Sequence, residues 1–173
     1  IGPGSGYLGA LLALDGYRYA ATEITQGFYL AQSALWHHLF GDRFVELATD
    51  PRDLKDFQSL DAGAVMHVPW WKYYVVDADD VRLSVDVVTA NHTLCEMQPT
   101  AFRYALRLSI DALDSAPGLR YFFTEGPGAD ELRDRQQMYQ EFLAAGYVPV
   151  FEELPIEVYT LAGPDDRLYE PVV

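Results

Sequence analysis

Apolar positions along this chain alternate between two spacings. Short runs of strand character, Tyr17 to Thr22, Phe44 to Ala48, Val85 to Ala90, Leu119 to Thr124, Val148 to Glu152 and Glu157 to Leu161, are separated by longer segments of helical period. Tyr7 to Leu14 is an apolar, Ala- and Leu-rich run of helical character. Thr25 is a capping residue for a helix to about Phe40, with Phe28, Ala31, Leu35 and Leu39 on one face. Asp50-Pro51 reads as a helix start, with Asp50 as its cap. Pro99 opens a long helix with Phe102, Leu106, Ile110 and Leu113 inward, ended by Pro117-Gly118, and a further helix runs from about Ala129 to Ala145 and stops at Gly146.

Strands alternating with helices predict a Rossmann-like α/β fold, a three-layer sandwich whose sheet is mostly parallel. Only Leu154-Pro155 and its neighbours join the last two strands, too short a link to cross over to a parallel partner, so that pair is expected to be antiparallel. Residues 1–173 are expected to form one domain, with the first strand of the sheet truncated, because the glycine-rich turn at the start should follow a buried strand. Residues 63–80 break the alternation. Their aromatic run His67-Val68-Pro69-Trp70-Trp71-Lys72-Tyr73-Tyr74 reads as an insertion and a candidate substrate lid, or as a hydrophobic element packed on the core.

Composition narrows the function. Half of the residues are hydrophobic and 14% aromatic, enough for a substantial core in 173 residues. No apolar stretch approaches the ~20 residues needed to span a bilayer, so no membrane role is expected. With 26 acidic against 12 basic residues and a formal charge of −14, the surface would repel a phosphate backbone, which argues against nucleic acid and for a small-molecule partner. Cys95 is the single cysteine, which excludes an internal disulfide framework and fits a reducing, cytoplasmic setting. A homo-oligomer is left open.

The candidate chemistry lies just after the strands, where ligands bind in sheets of this kind. Gly2-Pro3-Gly4-Ser5-Gly6 lets the backbone turn sharply and admit a ligand close to its N–H groups, and the helix that follows presents its positive end. Glu23 stands 17 residues after Gly6, at the end of the next strand, where a carboxylate can accept hydrogen bonds from two ribose hydroxyls. Asn91-His92-Thr93-Leu94-Cys95-Glu96-Met97 crowds polar side chains at another strand end. His92 and Glu96 could each take a proton from a substrate hydroxyl, or could simply pack and cap. His37-His38 diverge by ~100° on a helix and do not form a metal pair, and no zinc, calcium or phosphate-loop motif occurs, so no metal is expected.

Gly4-x-Gly6-x-x-Gly9 also satisfies the dinucleotide fingerprint, so an NAD(P)-dependent oxidoreductase is the alternative, with a non-catalytic Rossmann-like binding module as a third reading. Against the oxidoreductase stand the lack of a Tyr-x-x-x-Lys pair, of room for a substrate domain, and of a parallel final strand pair. With these residues in view the chain resembles class I S-adenosylmethionine-dependent methyltransferases. Ile1-Gly2-Pro3-Gly4-Ser5-Gly6 matches the tail of their glycine motif, whose leading acidic residue falls outside the sequence, and Glu23 matches their ribose-binding acidic residue. The Val68-Pro69-Trp70-Trp71 segment together with Asn91 to Met97 resembles bacterial sugar O-methyltransferases.

The resemblance implies S-adenosylmethionine as cofactor, held by Gly2, Gly4, Gly6, Tyr7, Glu23, Ile24 and Asn91. It implies methyl transfer to a hydroxyl of a small molecule such as a sugar or glycosylated natural product. His92 and Glu96 would be the catalytic residues, and His67, Trp70, Trp71 and Tyr73 would bind the acceptor.

Overall fold

The structure, a computed structural model, describes residues 1–72, 83–114, 118, 120–125 and 134–162. The chain divides into two compact units, Ile1–Leu83 and Ser84–Val173.

The first unit runs α1 (Tyr7–Leu14), β1 (Tyr19–Glu23), α2 (Gln26–Phe40), β2 (Phe44–Glu46) and β3 (Val65–Pro69). Its sheet has the order β1-β3-β2 and is wholly parallel, with Ala21 and Glu46 both in register with His67. β3 therefore lies in the middle, and all five of its residues are buried. A continuous apolar run is the usual signature of a parallel strand covered on both faces. The expected insertion at 63–80 thus begins with the central strand of this sheet. Trp70–Lys72 forms a short 3-10 turn at its end, and residues 73–80 lie outside the described residues.

α1 and α2 pack on one face of β1 through the ring of Tyr19, which meets Trp36 edge-on at 5.9 Å and abuts Gly9. The buried face of α2 is Gln32, Trp36 and Phe40. Of the expected stripe Leu35 does pack, partly buried, against the core, whereas Phe28, Ala31 and Leu39 are exposed, because the indole of Trp36 fills the space against Tyr19 and Phe44. Nor does a helix begin at Pro51. Asp50 accepts from the backbone and guanidinium of Arg52, and the 3-10 segment Leu54–Ser59 is capped by Asp53 in a capping box with Asp56.

The second unit runs β4 (Val87–Asn91), α3 (Pro99–Asp114), β5 (Tyr121–Glu125), α4 (Arg135–Ala144), β6 (Tyr147–Glu153) and β7 (Ile156–Leu161). Its sheet has the order β4-β5-β7-β6, parallel between β4 and β5 and antiparallel thereafter, as the short final connection requires. α3 and α4 meet the same face: Phe142 on α4 touches Phe102 on α3, Phe122 on β5 and Tyr147, and stacks on Tyr159 of β7 at 4.2 Å. Two polar links are buried in this core. Tyr147 and Ser109 hydroxyls lie 2.9 Å apart, and Glu157 accepts from Tyr159 at 2.7 Å and from Arg135.

Helices interleaved with a parallel sheet in one unit and a mixed sheet in the other make this a Rossmann-like α/β fold. Among the described residues no helix is long and apolar enough to cross a membrane.

Candidate functional site

Gly2, Gly4 and Gly6 all have positive φ, 58°, 55° and 79°, so the turn before α1 is built from left-handed residues that side chains disfavour. Gly2 ties the turn to the sheet by donating its N–H to Thr22 O at 2.9 Å. Gly6 caps α1, and its carbonyl accepts from Ala10 N–H and from the indole N–H of Trp36, each at 3.1 Å. The two inner glycines differ in what surrounds them. A Cβ on Gly6 would meet Trp36 and Gln32 at 3.0 to 3.2 Å, so its absence lets α2 approach. A Cβ on Gly4 would meet nothing within 4 Å, leaving open space over the turn.

Glu23 ends β1 and is 6% exposed. One carboxylate oxygen accepts from Thr25 N–H at 2.9 Å. The other faces Gln32 Nε2 at 3.4 Å, and the same Nε2 donates to Gly4 O at 2.5 Å. One amide on α2 therefore joins the glycine turn to the carboxylate. Each carboxylate oxygen keeps a lone pair for a further donor. Open space at Gly4, the N-terminal end of α1 beside the turn, and a carboxylate with acceptor capacity together suit a nucleoside carrying two ribose hydroxyls.

His67 belongs to a neighbouring cluster inside the first unit. It is wholly buried on β3, stacked on Tyr29 at 3.9 Å and edge-on to Trp36 at 4.8 Å. Its Nδ1 lies 2.9 Å from Ser33 Oγ and 3.5 Å from Glu46 Oε2. Ser33 donates its proton to Glu46 at 2.6 Å, so it accepts from His67 Nδ1, while Nε2 is buried with no partner among the described residues. Tyr29 also donates to Glu46. Burial pushes the Glu46 carboxyl up, but hydrogen bonds from His67, Ser33, Tyr29 and Ala48 N–H outweigh it and hold the group below the usual carboxylate range. Burial and the bond to Glu46 push the Tyr29 phenol well above its ordinary value. This polar network locks α2 over β2 and β3, and His67 has no path to solvent through it.

In the second unit Asn91 closes β4 with its side-chain oxygen buried and without a partner. His92 follows with φ of 55°, an uncommon conformation for any residue but glycine. Its N–H donates to Glu125 O at 2.8 Å and its carbonyl accepts from the buried Cys95 thiol at 3.2 Å, so the backbone is pinned while the side chain is exposed. Glu96 is exposed at the end of the 3-10 turn Leu94–Glu96.

Trp70 and Trp71 stand at the carboxyl end of β3, roughly half exposed and edge-to-face at 6.1 Å. Tyr7 and Ile24, at the starts of α1 and of the loop after β1, are exposed, and Tyr73 lies outside the described residues. His37 and His38 are exposed in the last turn of α2. Among the described residues no three His, Cys, Asp or Glu side chains gather as a metal site would need.

Gly4 and Glu23 are thus linked through Gln32, Gly6 is held separately by Trp36 of the same helix, and Asn91, His92 and Glu96 are close in sequence at the end of β4 in the second unit. Sequence reasoning missed Gln32 and Trp36. The signal was their i, i+4 spacing with Phe40.

No family model matches the chain, and no curated protein matches it. Among solved structures it is similar to one titled "Crystal Structure Analysis of LaPhzM", at 13% identity and a TM-score of 0.45, over 91% of this chain and 55% of that one. The chain spans about half the length of that structure. The fold stands on the strand order and register given above.

Proposed function

We propose that this chain is the cofactor-binding part of an S-adenosylmethionine-dependent methyltransferase that modifies a hydroxyl of a small molecule, of the sugar or glycosylated-product class. The observation that carries the reading is the Gly4–Gln32–Glu23 link, a left-handed glycine turn with open space above it joined to a buried, two-point-held carboxylate at the end of β1. When bound, the cofactor supplies an electrophilic methyl group. The chain's own part is binding and proton handling. Glu23 accepts from the ribose hydroxyls, and the turn with the end of α1 offers N–H groups to the ligand. In the second unit His92, with Glu96 beside it in sequence, is the group to take a proton from an acceptor hydroxyl; in the first, taken by itself, Trp70 and Trp71 offer apolar faces of the kind that suit a sugar ring.

Gly9 favours a second reading. Its close packing on Tyr19 is the role of the third glycine in the dinucleotide fingerprint, so an NAD(P)-binding domain is the rival. Parallel calorimetric titrations with S-adenosylmethionine, S-adenosylhomocysteine and NAD separate the two. Binding of the first pair without NAD supports the methyltransferase. Binding of NAD alone, or of none of the three, overturns it.

A further inference from the structure

Gln32 has no exposed surface, and the two ends of its amide have opposite fates. Nε2 is engaged by Gly4 O at 2.5 Å and Glu23 Oε2 at 3.4 Å. Both partners are acceptors, so the amide has one allowed orientation, since turning it over would set Oε1 against two oxygens. Oε1 is then left buried with no donor. Native cores rarely tolerate an unsatisfied buried amide oxygen, and a methionine of similar length would fill the same space without it. Methionine would remove that orphan, but it would also take the donor from Gly4 O and from the buried Glu23 carboxylate, so the position is decided by the N–H group. What only the amide supplies is the N–H pair that holds the glycine turn and the carboxylate in fixed relation.

Resting on the nucleoside-binding reading of Glu23, we propose that Gln32 is a positioning residue for recognition of a ribose diol. It acts through Glu23 and Gly4, aiming the carboxylate at the two hydroxyls, and the orphaned Oε1 is the cost of that arrangement.

The test compares affinity for S-adenosylhomocysteine with affinity for its 2′,3′-dideoxy counterpart in the 173-residue chain, by calorimetry, alongside thermal melting. Gln32→Met is expected to melt within a few degrees of wild type, to lose about tenfold in affinity for the diol ligand, and to lose markedly less for the dideoxy ligand, which still meets the glycine turn but makes no use of Glu23. A merely structural role would weaken both ligands equally. Gln32→Glu provides an independent arm. Its carboxylate loses both donors and repels Glu23 at pH 8, whereas near pH 6 a carboxyl raised by burial and a like charge regains one donor, so diol binding should recover several-fold on acidification. An unchanged diol preference in Gln32→Met, equal loss on both ligands, or no acid recovery in Gln32→Glu overturns the role of Gln32 while wild-type binding stands. A wild type that binds neither ligand overturns the nucleoside reading and the role of Gln32 with it.

Discussion

A Cβ on Gly9 would stand 2.2 Å from Cε1 of Tyr19, so α1 lies against β1 at a separation that only glycine permits. Gly9→Ala would gain up to ~1 kcal/mol of helix propensity. Against that, overpacking a buried ring costs ~1–3 kcal/mol. Tyr19 is also held by Trp36, so the ring has little room to yield. Gly9→Ala is expected to destabilise by about 1–2 kcal/mol in urea unfolding, and Tyr19→Leu in the same background should restore part of the loss. A neutral or stabilised Gly9→Ala would show that α1 can lift from β1 freely.

Glu23→Ala removes the buried carboxylate at the end of β1. Charge-assisted hydrogen bonds to two hydroxyls are worth roughly 1.5 to 3 kcal/mol, so S-adenosylhomocysteine should bind about 10- to 150-fold more weakly by calorimetry. A loss well under that range means the ribose is held elsewhere.

His92 keeps an unfavourable backbone while its side chain is exposed. Stability therefore predicts indifference to its loss, and function predicts the opposite. His92→Gly, which suits φ of 55°, should melt within a degree or two of wild type, whereas His92→Val should lose ~1–2 kcal/mol because a β-branched residue resists that conformation. Both should release S-adenosylhomocysteine from acceptor turnover far more slowly than wild type, with cofactor affinity nearly intact. Full turnover in His92→Gly would remove His92 from the mechanism.

The Glu46 cluster gives a pH dependence with a definite sign. The folded-state pKa of Glu46 lies below its ordinary value of 4.5, so its contribution to stability is complete above about pH 4.5 and is lost as pH falls through the lowered value. Denaturant titrations at pH 7 and pH 3 should show a steeper loss for wild type than for Glu46→Gln. The variant should also be less stable than wild type by about 1–2 kcal/mol at pH 7, since Ser33 and Tyr29 then donate to a neutral amide. Parallel pH curves for the two proteins would contradict the network.

Much of this was legible from local signals. The strand–helix alternation, the capping position of Thr25, the long helix from Pro99 and the antiparallel end of the sheet all follow from periodicity and connection length, which act within a few residues. The segment Val65–Pro69 was harder. Its neighbours Trp70 and Trp71 gave it the look of an aromatic excursion, and only pairing with β1 on one side and β2 on the other makes it a central strand. The inward face of α2 failed for a related reason. Sequence favours the more apolar stripe, but the Trp36 indole fills the space against Tyr19 and Phe44, and with that face inward Gln32 and Trp36 donate to carbonyls of the glycine turn.

By itself the sequence determined that glycines would shape a turn before a helix and that a carboxylate would follow the next strand, because glycine's freedom and the period of two along a strand are local properties. Tertiary structure alone decided that Gln32 joins the two and that His67 lies sealed against Glu46, Ser33 and Tyr29. Those relations depend on where α2 settles on the sheet, and hydrogen bonds between segments nine to thirty-odd residues apart have no signature until packing has brought the partners within 3.5 Å.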